Sequence, residues 1–163
     1  MLFNIPHDVL LGIVIRLITS ITGTIGFSLI FQVGGKRLPW AALGGLLTAL
    51  VYEITALVVS QPMIAAFTAS LFMALYSESF ARILHAPSVI FLFPCAIPIV
   101  PGRGLYYTIY YFLFYNEEQL SFYAKTTLGI ALGIAVGVSF ASILLSVIFH
   151  ISKLTKSRKQ SHT

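Results

Sequence analysis

The chain reads as an all-α polytopic membrane protein of about five transmembrane helices, the fourth broken by proline and glycine. Three observations carry this. Apolar residues make up 58% of the 163 positions and charged ones only 9%, against roughly 25% charged in a soluble domain. The mean hydropathy is +0.93. Several apolar runs reach the roughly 18 to 20 residues that a helix needs to cross a bilayer. A chain of this composition cannot cover a surface that faces water, so its solvent is lipid.

Each span has a local reason. The first covers about residues 9–31, with Arg16 as its one charge, and closes at the polar, glycine-rich turn from Gln32 to Pro39. The stretch before it lacks the positive segment of a secretory signal, so the span is expected to stay as a membrane helix. The second covers 40–59, opening on Trp40, which suits the headgroup boundary, and holding Glu53 as its only charge. After Ser60-Gln61-Pro62 the third runs over 63–81. Glu78 and Arg82 stand four apart at its end, the order that favours a local ion pair.

The fourth region, 88–115, cannot be one continuous helix. Pro94, Pro98 and Pro101 follow one another closely, and Gly102-Arg103-Gly104 comes next. Each proline removes a backbone donor and clashes with the preceding turn, and the glycines allow conformations that other residues avoid. The expected break lies between about Pro94 and Gly104. A loop from Asn116 to Ala124 is expected before the last span, 126–149, whose Gly129, Gly133 and Gly137 recur every fourth residue. That spacing makes a groove for close helix packing, either within the chain or against a second copy. A single transmembrane domain, residues 1–163, is expected, with a basic tail over 150–163.

Net charge is +5, but the basic residues sit in short gaps between apolar runs and in the tail, which reads as a topology signal and not as a nucleic-acid surface. A cytoplasmic carboxyl terminus puts Lys36, Arg37 and Arg82 on the same side as the tail lysines, with Lys125 opposite. If the proline-rich region instead dips in and returns on one side, four crossings remain and both termini share a side. Cys95 lies in an apolar run and reads as a small packed hydrophobe. The four histidines lack metal-ligand spacing, and no catalytic signature is present, so neither cofactor, metal nor enzyme activity is expected.

Two constellations point to function. Irregular backbone at membrane depth is tolerated where it lines a cavity or is buried in protein. A half-helix beginning near Gly102 would aim its unpaired N–H groups and positive dipole end into the membrane, and Arg103 adds a fork that fits a carboxylate. The substrate-binding candidates are therefore Pro98, Pro101, Gly102, Arg103, Gly104 and Tyr107, the last a hydroxyl from the Tyr106, Tyr107, Tyr110, Tyr111 group, which also reads as aromatic packing. The plainer alternative is a kink with Arg103 neutralising a membrane acid. Arg16 and Glu53 fall at matching depth, as a structural ion pair or with Glu53 coupling transport to protons.

The run from Ala86-Pro87 through Pro94, Pro98 and Pro101-Gly102 resembles the signature of the threonine/serine exporter family, in its carboxyl-terminal half. Gly26-Phe27 to Val33, Ala42 to Gly45, Ser77-Glu78 and Ala81-Arg82 add to the likeness, which spans about residues 20–115. A stand-alone chain of this size is similar to the YjjB-type subunit of that family. The resemblance implies an inner-membrane exporter of a small amino acid or dicarboxylate, threonine, serine or succinate, working with a YjjP-type subunit that supplies the amino-terminal half. Oligomers are also open. The competing reading is a membrane scaffold or regulatory subunit that transports nothing.

Overall fold

The computed structural model describes residues 7–160, all of whose regular structure is helical. Six α-helices follow in order: α1 His7–Ile30, α2 Leu38–Val58, α3 Pro62–Ile83, α4 Val89–Ala96, α5 Gly102–Leu113 and α6 Glu117–Gln160. Helices α1, α2, α3 and α6 are each long and apolar enough to cross a membrane, and α4 with α5 makes a fifth, bent span. At 1.5 Å per residue, α3 covers about 33 Å, close to a hydrocarbon core of roughly 30 Å.

The interior is built mostly from small residues, with Phe91 and Met73 as large exceptions, and the exterior from large ones. Ala41, Ala65, Ala66, Ala69, Ser28 and Ser70 are fully buried, whereas leucine, isoleucine and phenylalanine side chains cover the outside. With lipid as solvent nothing drives large apolar groups inward, and small residues let helix backbones approach. Two of the buried hydroxyls are satisfied within their own helices: Ser28 Oγ donates to Thr24 O at 2.7 Å and Thr48 Oγ1 to Gly44 O at 2.8 Å. Cys95 is buried as expected, its thiol 3.6 Å from Ala41 O.

The glycine ladder of α6 packs within the chain, on α3. A methyl group at Gly133 would strike Met63 O, and one at Gly137 would strike Ser70 Oγ and stand 2.6 Å from Phe67 O. These pairings also fix direction. Gly129 lies at Met63, Gly133 at Ala66 and Phe67, and Gly137 at Ser70 and Leu71. Residue numbers rise together, so α3 and α6 run parallel. The chain leaves α3 at one end of the bundle and enters α6 at the other, so α4 and α5 together must carry it across. A segment that dipped in and returned would leave α6 antiparallel to α3. The 53° bend between the two half-helices agrees, because a returning segment would turn back on itself.

Two boundaries differ from the sequence expectation. Pro94 lies inside α4, so the break is shorter than 94–104. It consists of a 3-10 turn over Ile97–Ile99 followed by Val100 and Pro101. The expected loop from Asn116 to Ala124 is helix from Glu117 onward. Asn116 caps it, its Oδ1 accepting from Gln119 N–H at 3.2 Å. Glu117 and Glu118, which suggested a loop, are first-turn acids that complement the positive helix end.

Candidate functional site

The break owes its shape to the two prolines. Val100, which precedes Pro101, is pushed to extended backbone at φ −63°, ψ 127°. Pro101 (φ −78°, ψ 52°) forms a tight three-residue turn, closed by Gly102 N–H donating to Val100 O at 2.8 Å. Leu105 N–H then donates to Pro101 O at 3.0 Å, beginning the ladder of α5. Between these two donors, the Arg103 and Gly104 N–H groups have no backbone acceptor among the described residues. The positive end of α5 is thus open.

It opens into a cavity of about 490 Å³, within the roughly 300–1,000 Å³ usual for small-molecule sites. One wall is the break and the start of α5, with Pro98, Pro101, Arg103 and Gly104. The facing wall comes from α1 and α2 and holds Arg16, Thr19, Ser20, Tyr52 and Glu53. Thr126, Thr127 and Tyr123 of α6 complete it. Ile99, in the turn, is buried with Ala69 and Met73 of α3. The break therefore stands level with the middle of that helix, deep in the bundle.

Arg16 and Glu53 form an ion pair, Nη1 to Oε1 at 3.0 Å and to Oε2 at 3.3 Å. The Glu53 side chain is 13% exposed and that of Arg16 62%. Arg82 and Glu78 also pair, at 2.7 Å, outside this cavity. Of the residues singled out from sequence, the cavity gathers Arg16, Glu53, Pro98, Pro101, Arg103 and Gly104 on its walls. Gly102 and Tyr107 are not among its lining. Tyr107 stacks on Tyr123 of α6 at 5.0 Å between ring centroids, with the Arg103 guanidinium 5.6 Å from its ring. Tyr111 stacks on the same Tyr123, so aromatic packing fastens α5 to α6. No cluster of three or more His, Cys, Asp or Glu side chains fit to hold a metal occurs among the described residues.

Sequence reasoning missed Thr19, Ser20, Tyr52 and Thr127. Thr127 is 7% exposed, and its hydroxyl, packed on Gly104, has no hydrogen-bond partner among the described residues. Hydroxyl residues are common in membrane helices, and nothing in their spacing marks those that face a cavity.

A helical membrane bundle whose one interrupted span opens a charged, midplane cavity has the construction of a solute transporter. The model of the family described as threonine/serine exporter, ThrE, matches residues 16–144. The chain belongs to the threonine/serine exporter family, and its role is membrane transport. The match takes in both walls of the cavity and ends within α6. No curated relative and no solved structure matches the chain.

Proposed function

We propose that the chain exports a small carboxylate-bearing metabolite, threonine, serine or a succinate-like dicarboxylate, from the cytoplasm across the inner membrane. One observation carries this reading: the open positive end of α5, with Arg103, faces a cavity deep in the bundle. Free N–H groups and a guanidinium offer only donors and positive charge, which a carboxylate matches. The substrate-binding set is Pro98 and Pro101, which hold the break open, Gly102, whose N–H closes the turn, Gly104, whose close contact with Thr127 aims the open helix end, and Arg103. Tyr107 acts by holding the Arg103 side chain over its ring.

Only about a tenth of the α1 window and a sixth of the α6 window are buried within the chain. Such broad uncovered faces suit a YjjP-type subunit that supplies the other half of the transporter. The cluster of Lys153, Lys156, Arg158 and Lys159 favours a cytoplasmic carboxyl terminus.

Efflux of labelled threonine and succinate from cells carrying or lacking the chain tests this, together with the variant Arg103→Gln. Deletion should trap the solute inside. Arg103→Gln should do the same at normal membrane abundance, and unchanged efflux in either case would overturn the reading.

A further inference from the structure

The polar atoms around the cavity are sorted by hydrogen-bonding sense. On the α5 side the Arg103 guanidinium and the free N–H groups only donate. On the α1 side the hydroxyl protons are already committed. Thr19 Oγ1 lies 2.9 Å from both Ile15 O and Arg16 O, and Ser20 Oγ donates to Arg16 O at 2.7 Å. What these hydroxyls can still offer a solute is lone pairs. The Glu53 carboxylate, on the neighbouring helix, also only accepts. Apart from the Tyr52 hydroxyl, which can donate or accept, the facing wall thus offers acceptors, and the cation that answers Glu53 there is Arg16.

The pair is not built as a permanent lock. A single nitrogen of Arg16 reaches both Glu53 oxygens, in place of the fork-to-fork arrangement that gives arginine pairs their strength. The carboxylate is enclosed and the guanidinium chain is largely free, 13% against 62% exposed. Of the two partners, Arg16 is the one able to leave.

Resting on the reading that this cavity takes the transported solute, we propose that Glu53 receives the ammonium group of a zwitterionic amino acid whose carboxylate sits at Arg103, and that Arg16 is the resident counter-ion which the ammonium displaces. Charge balance supports the assignment. With Arg16 withdrawn, Arg103 and Glu53 cancel, and a zwitterion meets an opposite charge at each end. A dicarboxylate would set its second negative group against Glu53, a like-charge contact that disfavours it. Glu53 therefore selects amino acids over dicarboxylates of the same length.

The test is efflux of labelled threonine and of succinate from cells carrying the full chain, with membrane abundance measured in parallel. Glu53→Gln should lower threonine efflux at least about tenfold, the loss of one charge-assisted contact, and raise succinate efflux relative to threonine. Arg16→Gln should lower the threonine concentration needed for half-maximal efflux, because the competitor is gone. The double variant Arg16→Gln with Glu53→Gln removes both charges of the pair together, so neither partner is left without its counter-charge, which guards against loss of folding. It should accumulate normally yet fail to export threonine. Recovery of threonine efflux in the double variant would make the pair purely structural and overturn the proposal, as would full threonine efflux in Glu53→Gln. If the unaltered chain supports no efflux of either solute, the transport reading itself falls, a result distinct from both.

Discussion

Gly104 of α5 and Thr127 of α6 touch so closely that no methyl group fits between them, and the Thr127 hydroxyl pressed into that contact has no hydrogen-bond partner among the described residues. Among the described residues α5 packs on no other helix than α6, and it buries none of its own residues. This contact and the tyrosine stack just beyond it set where the open end of α5 points. Gly104→Ala should therefore push α5 off α6, at about 1–3 kcal/mol for overpacking, and reduce efflux while leaving membrane insertion intact. Efflux and abundance measured side by side check this, and an alanine chain with full efflux would mean that the contact does not position the site.

The same hydroxyl makes an opposite prediction for the neighbouring residue. Thr127→Val keeps the shape and removes the unpaired polar group, whose burial costs about 1–3 kcal/mol. The variant should melt at the same temperature as the parent or higher in detergent, followed by intrinsic fluorescence or light scattering. A lower melting temperature would show that the hydroxyl has a partner in the folded chain.

Gly133 and Gly137 face backbone and Ser70 on α3, so larger side chains there have nowhere to go. Gly137→Leu should separate α3 from α6 and cost more than about 3 kcal/mol, because both backbones must move. Gly129, whose nearest neighbour is Met63 Cβ at 3.8 Å, should accept alanine with little effect. Thermal stability of the two variants in detergent gives the ranking, and equal losses at Gly129 and Gly137 would contradict the packing described.

How much of this could be read beforehand varies with the kind of signal. The second and third spans emerge from uninterrupted apolar length, and α2 and α3 match them within about a turn. The break was legible because Pro98 and Pro101 act through their own covalent geometry. Arg16 and Glu53 were legible as partners because basic loops fix the topology, and topology fixes depth. Asn116 was readable in principle: asparagine with glutamine three residues later is a helix-start pattern, which the adjacent acids obscured. Thr19, Ser20 and Thr127 were not readable, because which face of a membrane helix meets a cavity is decided by tertiary packing. The parallel course of α3 and α6 belongs to the same class.

The cap at Asn116 is local and should be separable from transport. Asn116→Ala removes the bond to Gln119 N–H and should cost about 1 kcal/mol at that helix end. Faster hydrogen exchange at residues 117–120, with efflux unchanged, is the expected result. Unaltered exchange there would return these residues to a frayed end held by other contacts.

The parallel arrangement of α3 and α6 has the widest reach, because it sets the side of every loop. With Cys95→Ala as a cysteine-free background, single cysteines report sidedness through a membrane-impermeant maleimide. Gln61 precedes α3 and Asn116 precedes α6, so cysteines at both should label from one face of the membrane. Gly34 and His85, at the opposite ends of their helices, should label from the other. A four-crossing chain would move the Asn116 position to the face of His85, since the segment between them would then return to its starting side. Labelling of His85 and Asn116 positions from the same face would thus remove the crossing of α4 and α5, and with it the deep placement of the open end of α5 on which the carboxylate site depends.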